Sequence, residues 1–314
     1  MSEHWRPATD HVLLRLRAEL LDTIRSFMRE RDIMEVETPI LSRAGITDVN
    51  IHSISFNLPG RESVYLNTSP EFCMKRLLAS GSGAIFQVAR VFRDDACTRL
   101  HQPEFSMLEW YRPGFDHHRL MDELSELLSA LGLTPIDRCT YEQAFLQHLE
   151  IDPHRASICD LQSQASKLGL YRPEDDRAIL LEFLFSHSVA PALGRDKPLL
   201  LYDYPACQAA LARLSGDKSP TARRFELFVN GIELANGFHE LTDCGEQRQR
   251  FTGENRIRRQ RGLPEVAIDQ LFLAALQAGL PDCAGVAIGL DRLLMVIAGK
   301  EHINEVMPFP FVDA

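Results

Sequence analysis

The hydrophobic positions near the N-terminus repeat with the period of an α-helix. From His11 onward, apolar residues recur at spacings of three and four, at Leu13, Leu16, Leu20, Ile24 and Phe27. This spacing predicts an amphipathic helix that ends near Arg31. The segment EVETPIL, 35–41, follows it and is typical of a strand.

Runs rich in β-branched and aromatic residues predict strands farther along the chain, at 64–66, 84–93, 104–111 and 224–241. The segment LNTSPEFCMKRLL, 66–78, places Thr68 or Ser69 before a predicted helix.

Helical periods dominate from about 118 to 222, and we interpret this stretch as a mainly helical inserted layer of a single domain, 1–314. A charged helix is predicted over 242–262. A buried helical pattern around 266–280 precedes the segment CAGVAIGLDRLLMVIAG.

The stretch RLHQPEFSMLEWY, 99–111, alternates two kinds of residue. One predicted face carries Phe105, Met107, Glu109 and Tyr111, and the other carries Ser106, Leu108 and Trp110. Phe105 and Glu109 are separated by about 13 Å at about 3.3 Å per residue. An aromatic ring and a carboxylate at that separation can hold the two ends of one ligand, an aromatic base and a cationic amine. Alternatively, Phe105 and Met107 are core residues and Glu109 pairs with a nearby arginine.

Two arginines occupy positions suited to an anionic ligand. Arg93 shares a predicted strand face with Val91, an unusual place for a guanidinium without an anionic partner. Arg292 follows Gly289 at the start of a predicted helix, where glycine allows close backbone approach and arginine suits phosphate oxygens. The alternative for Asp291-Arg292 is a helix cap and a surface charge.

The dipeptide Asn230-Gly231 predicts a two-residue hairpin turn with both residues at positive φ. The resulting register pairs Val229 with Ile232, Phe228 with Glu233 and Glu226 with Ala235. Glu226 and Glu233 then project from one face, about 7–8 Å apart at the backbone.

Two carboxylates on one face repel each other unless a cation lies between them. A divalent metal bound to a polyphosphate is one interpretation, and a solvated outer face is the other. A bulge at 235–237 would bring Asn236, Phe238 and Glu240 to the side of Glu233.

The composition limits the classes of partner. The net charge of −10 disfavours nucleic acid as the default partner. The seven cysteines include no CxxC spacing, which fits free thiols in a reducing compartment. No apolar signal core or membrane-length stretch is present, so we expect a cytoplasmic protein. Six arginines within 246–262 indicate either a solvated helix face or a docking patch for an acidic protein.

Taken together and in order, these segments resemble the signature motifs of the class II aminoacyl-tRNA synthetases, in particular their lysyl branch. RDIMEVETPIL resembles motif 1, FQVARVFRDDACTRLHQPEFSMLEWY resembles motif 2, and GVAIGLDRLLM resembles motif 3. TSPEFCMKRLL and FELFVNGIELANGFHELTD are similar to further lysyl-type blocks. The resemblance implies an α+β catalytic domain, an antiparallel β-sheet flanked by helices, and a homodimer formed through motif 1.

Lysyl-tRNA synthetases carry an N-terminal anticodon-binding barrel, and we expect none here because the motif 1 helix begins near residue 11. This feature, the acidic charge and ELANGFHELTD resemble the synthetase-like paralogs that activate (R)-β-lysine with ATP and transfer it to elongation factor P. Ala287 stands where tRNA-charging relatives generally have glycine, and its methyl group is expected to favour a β-amine. The resemblance implies ATP, Mg²⁺, (R)-β-lysine and elongation factor P as ligands and partners, and neither tRNA nor a membrane.

The resemblance also implies roles for individual residues. The arginines would be catalytic, with Arg93 on the α-phosphate of ATP and Arg292 on the γ-phosphate, and Phe105 would stack on adenine. Further ATP contacts are implied for Asp94, Asp95, Gln102, Glu233, Leu234 and Gly289. Glu226 and Glu233 fall at magnesium positions. The lysine-type substrate would be lined by Ser69, Pro70, Glu71, Glu109, Tyr111, Asn236, Phe238, Glu240 and Ala287.

The implied first step requires no protein nucleophile. The β-lysine carboxylate attacks the α-phosphorus of ATP, and an acceptor lysine amine then attacks the acyl carbon, so that catalysis rests on positioning and charge neutralisation. Two alternatives stay open: a lysyl-synthetase-like enzyme with another acceptor, and a non-catalytic regulatory paralog.

Overall fold

The computed structural model describes residues 5–60, 63–171, 174–216 and 220–313. These residues form two compact units, one within Met1–Gly114 and Thr242–Ala314 and the other within Phe115–Leu241. The single domain expected over 1–314 stays a prediction, and residues 1–4, 61–62, 172–173, 217–219 and 314 of that range lie outside the described residues.

The described residues contain both strands and helices. The strands, in chain order, are β1 Met34–Glu35, β2 Leu41–Ser42, β3 Ser55–Asn57, β4 Ser63–Leu66, β5 Ile85–Phe92, β6 Glu104–Pro113, β7 Asp137–Thr140, β8 Leu199–Pro205, β9 Thr221–Val229, β10 Ile232–His239 and β11 Cys283–Gly289. The α-helices are α1 His11–Arg29, α2 Glu71–Ala79, α3 His117–Ala130, α4 Tyr141–Leu149, α5 Ile158–Lys167, α6 Arg177–Leu184, α7 Cys244–Gln260, α8 Gln270–Gly279 and α9 Leu290–Ile297.

In the first unit the strands follow the order β1-β5-β6-β11, with β1 parallel to β5 and the other pairs antiparallel. Strands β2, β4 and β3 form a smaller antiparallel sheet. The strands predicted at 64–66, 84–93 and 104–111 are confirmed. The strand predicted at 35–41 is mostly wrong, because Pro39 interrupts it and a proline cannot donate to a strand ladder.

Helix α1 begins where the hydrophobic spacing predicts. The Asp10 carboxylate accepts a hydrogen bond from the Leu13 N–H at 2.9 Å and caps the first turn. The helix ends at Arg29, two residues before the predicted end. Its buried face consists of Leu20, Ile24, Phe27 and Met28.

In the second unit the strands follow the order β10-β9-β8-β7, antiparallel except for β7 with β8. The core of this unit includes Tyr141, Phe145, Leu184 and Phe228. The layer predicted to be mainly helical contains α3 to α6 but also β7 and β8. Residues 172–173 and 217–219 of that layer lie outside the described residues.

The α+β fold of helices around mostly antiparallel strands is therefore confirmed. Among the described residues, no helix is both long enough and apolar enough to span a membrane.

Candidate active site

The alternation of Phe105, Met107, Glu109 and Tyr111 is a true strand face. In the β5–β6 ladder Val91 lies opposite Phe105 and Gln87 lies opposite Glu109. On the other side of β6, Ala287 lies opposite Glu109. Because directly opposed residues project from the same face of a sheet, Ala287 and Gln87 flank the Glu109 side chain. The opposite face of β6 is buried, with Leu108 and Trp110 fully covered.

Glu109 is a buried carboxylate, only 2% exposed. The Tyr111 hydroxyl donates to Glu109 Oε1 at 2.6 Å. A buried carboxylate needs donors to offset lost hydration, and Tyr111 supplies one of them. The structure thus brings together two residues that the resemblance assigns to the lysine-type substrate.

Arg93 lies beside Phe105, as its predicted strand face requires. The Arg93 guanidinium carbon is 5.2 Å from the centroid of the Phe105 ring. The ring also packs against Ala89, Val91 and Met107, so it belongs partly to a core cluster, as the alternative interpretation expected. Arg90, on the opposite face, is exposed and lies 3.7 Å from the Glu104 carboxylate.

Gly289 is the N-cap of α9, and a Cβ atom added there would meet nothing within 4 Å. The backbone beside the Phe105 face is therefore open to a ligand. Arg292 Nε donates to the Leu100 carbonyl at 3.1 Å, and Arg292 Nη2 lies 2.9 Å from His101 Nε2. His101 was missed by sequence reasoning, and no signal beyond its place in the motif 2 loop could have found it.

Asp291 is not a surface charge, and that alternative is wrong. Its side chain is 1% exposed and accepts from Arg17 Nη1 at 2.7 Å and from the Ser106 N–H at 2.6 Å. These bonds join α1, β6 and α9. The residue preceding Arg292 therefore fixes the start of α9 against the strand that carries Phe105.

The motif 2 loop residues have different environments. Asp94 is exposed and Asp95 is half-buried. Gln102 is 1% exposed; its amide donates to Asn304 Oδ1 at 2.7 Å, and its carbonyl accepts from the Phe311 N–H at 3.0 Å. The structure therefore gives Gln102 an anchoring role for the C-terminal segment, and its ATP contact stays a prediction.

Ser69, Pro70 and Glu71 lie at the start of α2 and line a small cavity of about 50 Å³. Ser69 Oγ accepts from the Glu71 N–H at 3.2 Å. Glu71 Oε1 accepts from Lys75 Nζ at 2.6 Å, and Lys75 is 1% exposed. Sequence reasoning missed Lys75, although its spacing of four from Glu71 on a predicted helix indicates such a pair.

In the second unit the hairpin turn is confirmed, with Asn230 at φ 53° and Gly231 at φ 73°. The predicted opposition of Glu226 and Ala235 is wrong, because the register shifts between Glu233 and Ala235. The bulge thus lies at Leu234, earlier than predicted.

This bulge has the predicted consequence for the strand faces. After the shift Asn236 lies opposite Glu226 and Phe238 lies opposite Arg224. Asn236 and Phe238 therefore project from the face that carries Glu226 and Glu233. Glu226 is buried, at 5% exposure, whereas Glu233 is exposed to solvent. Leu234 and Glu240 are buried.

Arg224 organises this face and was missed by sequence reasoning. Its Nη2 donates to Glu226 Oε1, and its Nε donates to Asn236 Oδ1 at 3.2 Å. The Tyr204 hydroxyl donates to Glu226 Oε2 at 2.6 Å. The strand period offered a signal for Arg224, because it stands two residues before Glu226.

Burial raises the pKa of Glu226 above its ordinary value, while the adjacent Arg224 guanidinium opposes the shift and the Glu233 carboxylate adds to it. Burial also raises the pKa of Tyr204 well above its ordinary value. Tyr204 therefore remains a hydrogen-bond donor at neutral pH.

The arginines of 246–262 do not share one environment. Arg248, Arg256, Arg259 and Arg261 are exposed. Arg250 pairs with Glu246, and Arg258 is buried with its Nε donating to the Pro264 carbonyl at 2.8 Å. The segment thus has a solvated face and a second face that packs inward.

Comparison with known proteins agrees with this geometry. The family model described as tRNA synthetases class II (D, K and N) matches residues 4–313. A protein of Histophilus somni (strain 2336) named elongation factor P–(R)-beta-lysine ligase is 49% identical, with 98% of each chain covered. Proteins of the same name from Vibrio parahaemolyticus and Salmonella typhi are 48% identical, with 99% and 97% of each chain covered. The chain therefore belongs to the family of class II tRNA synthetases of the D, K and N group.

Proposed function

We propose that this chain is an ATP-dependent ligase that activates (R)-β-lysine and joins it to a lysine side chain of elongation factor P. The structural observation that carries the proposal is the face of β6, where Arg93 lies beside Phe105 and Ala287 lies opposite the buried Glu109. The near full-length relatives with that name, at 48–49% identity, support the same activity.

ATP would lie along the Phe105 end of this face. The Phe105 ring is half-buried and would stack on adenine, and Arg93 beside it would hold the α-phosphate. Arg292 would bind the γ-phosphate, with the open backbone at Gly289 allowing close approach of the nucleotide. Further nucleotide contacts are proposed for Asp94, Asp95, Gln102, Glu233 and Leu234.

The amino acid would occupy the Glu109 end, about 13 Å from Phe105 along the strand. Glu109 and Tyr111 would bind an ammonium group, because a carboxylate in a desolvated site attracts a cation strongly. The Ala287 methyl group projects from the face of Glu109 and would narrow the space beside the α-carbon. Further substrate contacts are proposed for Ser69, Pro70, Glu71, Asn236, Phe238 and Glu240.

Glu226 and Glu233 would hold Mg²⁺. Within the part of the chain that the structure describes, no group of three or more His, Cys, Asp or Glu side chains is placed to hold a metal. Two carboxylates on one face still fit Mg²⁺, which commonly takes one or two carboxylates and completes its shell with substrate phosphates and water. When bound, the ion would neutralise phosphate charge. Arg224 and Tyr204 orient Glu226 for this role.

The proposed reaction has two steps. The carboxylate of (R)-β-lysine displaces pyrophosphate from the α-phosphorus, while Arg93 and Arg292 offset the charge that develops on phosphate oxygens. A neutral lysine amine of elongation factor P then attacks the acyl carbon, AMP leaves, and an amide forms. The arginines bind and orient the reactants, so positioning provides most of the acceleration.

A homodimer formed through α1 and the segment after it is part of the proposal. Large apolar side chains are exposed there, with Val12 at 72%, Met34 at 51% and Ile40 at 44%.

A cytoplasmic location is supported by the cysteines, all seven of which lie in described residues without a disulfide.

ATP–pyrophosphate exchange tests the activation step. We expect exchange with (R)-β-lysine, weaker exchange with α-lysine, and a mass increase of purified elongation factor P by one β-lysyl group. Exchange without transfer to the factor would favour another acceptor. If neither amino acid supports exchange, the remaining interpretation is a non-catalytic protein that only binds its ligands.

A further inference from the structure

The cavity beside Ser69 and Glu71 has a second wall that the proposed function does not explain. This wall is formed by Ser42 at the end of β2 and, in the loop that follows, by Ala44, Gly45 and Ile46. We define residues 43–48 as the pocket loop. The loop faces residues assigned to the lysine-type substrate, so its position sets the width of that end of the pocket.

The pocket loop lacks a ladder of its own. Residues 43–54 contain neither helix nor strand. Local bonds hold it only in part: the Ala44 N–H donates to Ser42 Oγ at 3.1 Å, and the Ile46 N–H donates to Ser53 Oγ at 3.2 Å. A loop without ladder hydrogen bonds depends on contacts from neighbouring elements for a single conformation.

Helix α7 provides two direct anchors. The Thr47 hydroxyl donates to the Glu254 carboxylate, and Thr47 is 3% exposed. One turn later, Arg258 Nη1 donates to the Asp48 carbonyl at 3.0 Å, and Arg258 is 4% exposed. Buried hydrogen bonds of this kind are costly to lose, because each leaves an unpaired polar group behind.

The same helix acts on the loop by a third route. The Asn255 side chain makes two hydrogen bonds to the Val266 backbone, at 2.9 Å from Nδ2 and 3.0 Å to Oδ1. A Cβ at Gly45 would lie 3.0 Å from Val266 Cγ1 and 2.9 Å from Tyr65 Cδ1. Val266, fixed by Asn255, therefore packs directly against the loop at Gly45.

We infer that Glu254, Asn255 and Arg258 form a clamp on α7 that positions the pocket loop, and that these three residues thereby determine the affinity for the amino-acid substrate. They are positioning residues, since the contacts that define them are to the loop and to Val266. The inference rests on the proposed function for the identity of the substrate. The position of the loop itself does not depend on that function.

A matched pair of variants tests the clamp. Thr47→Val removes the hydroxyl and keeps the side-chain shape, whereas Thr47→Ser keeps the hydroxyl. In ATP–pyrophosphate exchange, we expect T47V and Glu254→Ala to raise the KM for (R)-β-lysine about tenfold, with kcat and the KM for ATP changed less than about twofold. T47S should behave as the wild type. Equal changes in kcat and both KM values, or none, would overturn the inference.

Hydrogen exchange separates failure of the clamp from failure of the proposed function. In T47V and E254A, amides of 44–48 should exchange about tenfold faster than in the wild type, while those of 105–111 keep their protection. This result supports the clamp even if the wild type activates no amino acid, in which case only the proposed function fails. Unchanged exchange over 44–48 would contradict the clamp whatever the activity.

Discussion

Tyr204 and Glu226 form a buried hydrogen bond of 2.6 Å between strands β8 and β9. The two side chains are 3% and 5% exposed, and Arg224 completes the carboxylate environment. Glu226 is thus held in one orientation by two donors on the face that we propose binds Mg²⁺.

Tyr204→Phe should lower the free energy of unfolding by about 1–2 kcal/mol, because it leaves one oxygen of a buried carboxylate without its donor. The Mg²⁺ concentration that gives half the maximal rate of ATP–pyrophosphate exchange should also rise. Urea denaturation and a magnesium titration measure the two effects. Tyr202→Phe is the control, since Tyr202 lies on the same strand and its ring contacts His118. An equal loss in both variants would show that the bond to Glu226 is not the cause.

Arg93→Ala should reduce the rate of adenylate formation about 10²- to 10³-fold, because it removes a preorganised charge at the α-phosphate. The dissociation constant for ATP should change much less. Single-turnover kinetics with a separate binding measurement resolves the two. Arg90→Ala is the control and should retain nearly full activity. Arg90 lies three residues earlier, on the opposite face, beside Glu104. Equal losses of rate and affinity in R93A would argue against its catalytic role.

Ala287→Gly should widen the space opposite Glu109 and shift the preference toward α-lysine. Because one methyl group in a pocket contributes about 1–3 kcal/mol of discrimination, we expect the ratio of kcat/KM for β-lysine over α-lysine to fall about tenfold or more. Exchange assays with both amino acids provide the ratio. Ala284→Gly, on the other face of β11, makes the same chemical change away from Glu109 and should leave the ratio unaltered. A constant ratio in A287G would remove Ala287 from the specificity argument.

Glu254 makes the stability of the first unit depend on pH. Burial raises the pKa of the Glu254 carboxyl from 4.5 to about 7, and the hydrogen bond from Thr47 offsets part of this increase. A carboxyl with a raised folded-state pKa contributes stability that is fully present below pH 4.5 and is lost as the pH rises through about 7.

Glu254→Gln removes this titration and keeps an oxygen that accepts from Thr47. At pH 8 we therefore expect E254Q to be more stable than the wild type, with a free energy of unfolding about 1 kcal/mol higher. The difference should shrink toward pH 5. Urea denaturation from pH 5 to 8 measures it, with Glu246→Gln as a control on the same helix. Parallel curves for E254Q and the wild type would exclude Glu254 as the titrating group.

If the proposed homodimer forms through the α1 region, replacing exposed apolar residues of that region with charged residues should dissociate it into monomers. Val12→Glu combined with Ile40→Glu should convert a dimer to a monomer in light scattering, since each buried carboxylate without a partner costs several kcal/mol. Leu146→Glu, at a residue of α4 that is 44% exposed, is the control and should leave the mass unchanged. A monomeric wild type would contradict the dimer.

Short-range patterns predicted the elements that depend on neighbouring residues. The start of α1, the turn at Asn230-Gly231 and the alternation along β6 follow from period and backbone preference, which a few consecutive residues determine. The motif order placed Arg93, Phe105 and Arg292 at candidate nucleotide positions. In the structure, Arg93 directly follows β5 and its guanidinium lies beside the Phe105 ring.

The tertiary structure decided what depends on residues far apart in the chain. The position of the bulge at Leu234, the Tyr204 donor to Glu226, and the anchoring of Gln102 to Asn304 have no local signature. The bond between Thr47 and Glu254 joins residues 207 positions apart. Sequence periodicity reports which face of an element is apolar, but the side chain that meets each polar group is selected by packing between elements. For that reason the sequence by itself determined the elements and the candidate chemistry, and only the fold determined how each polar side chain is held.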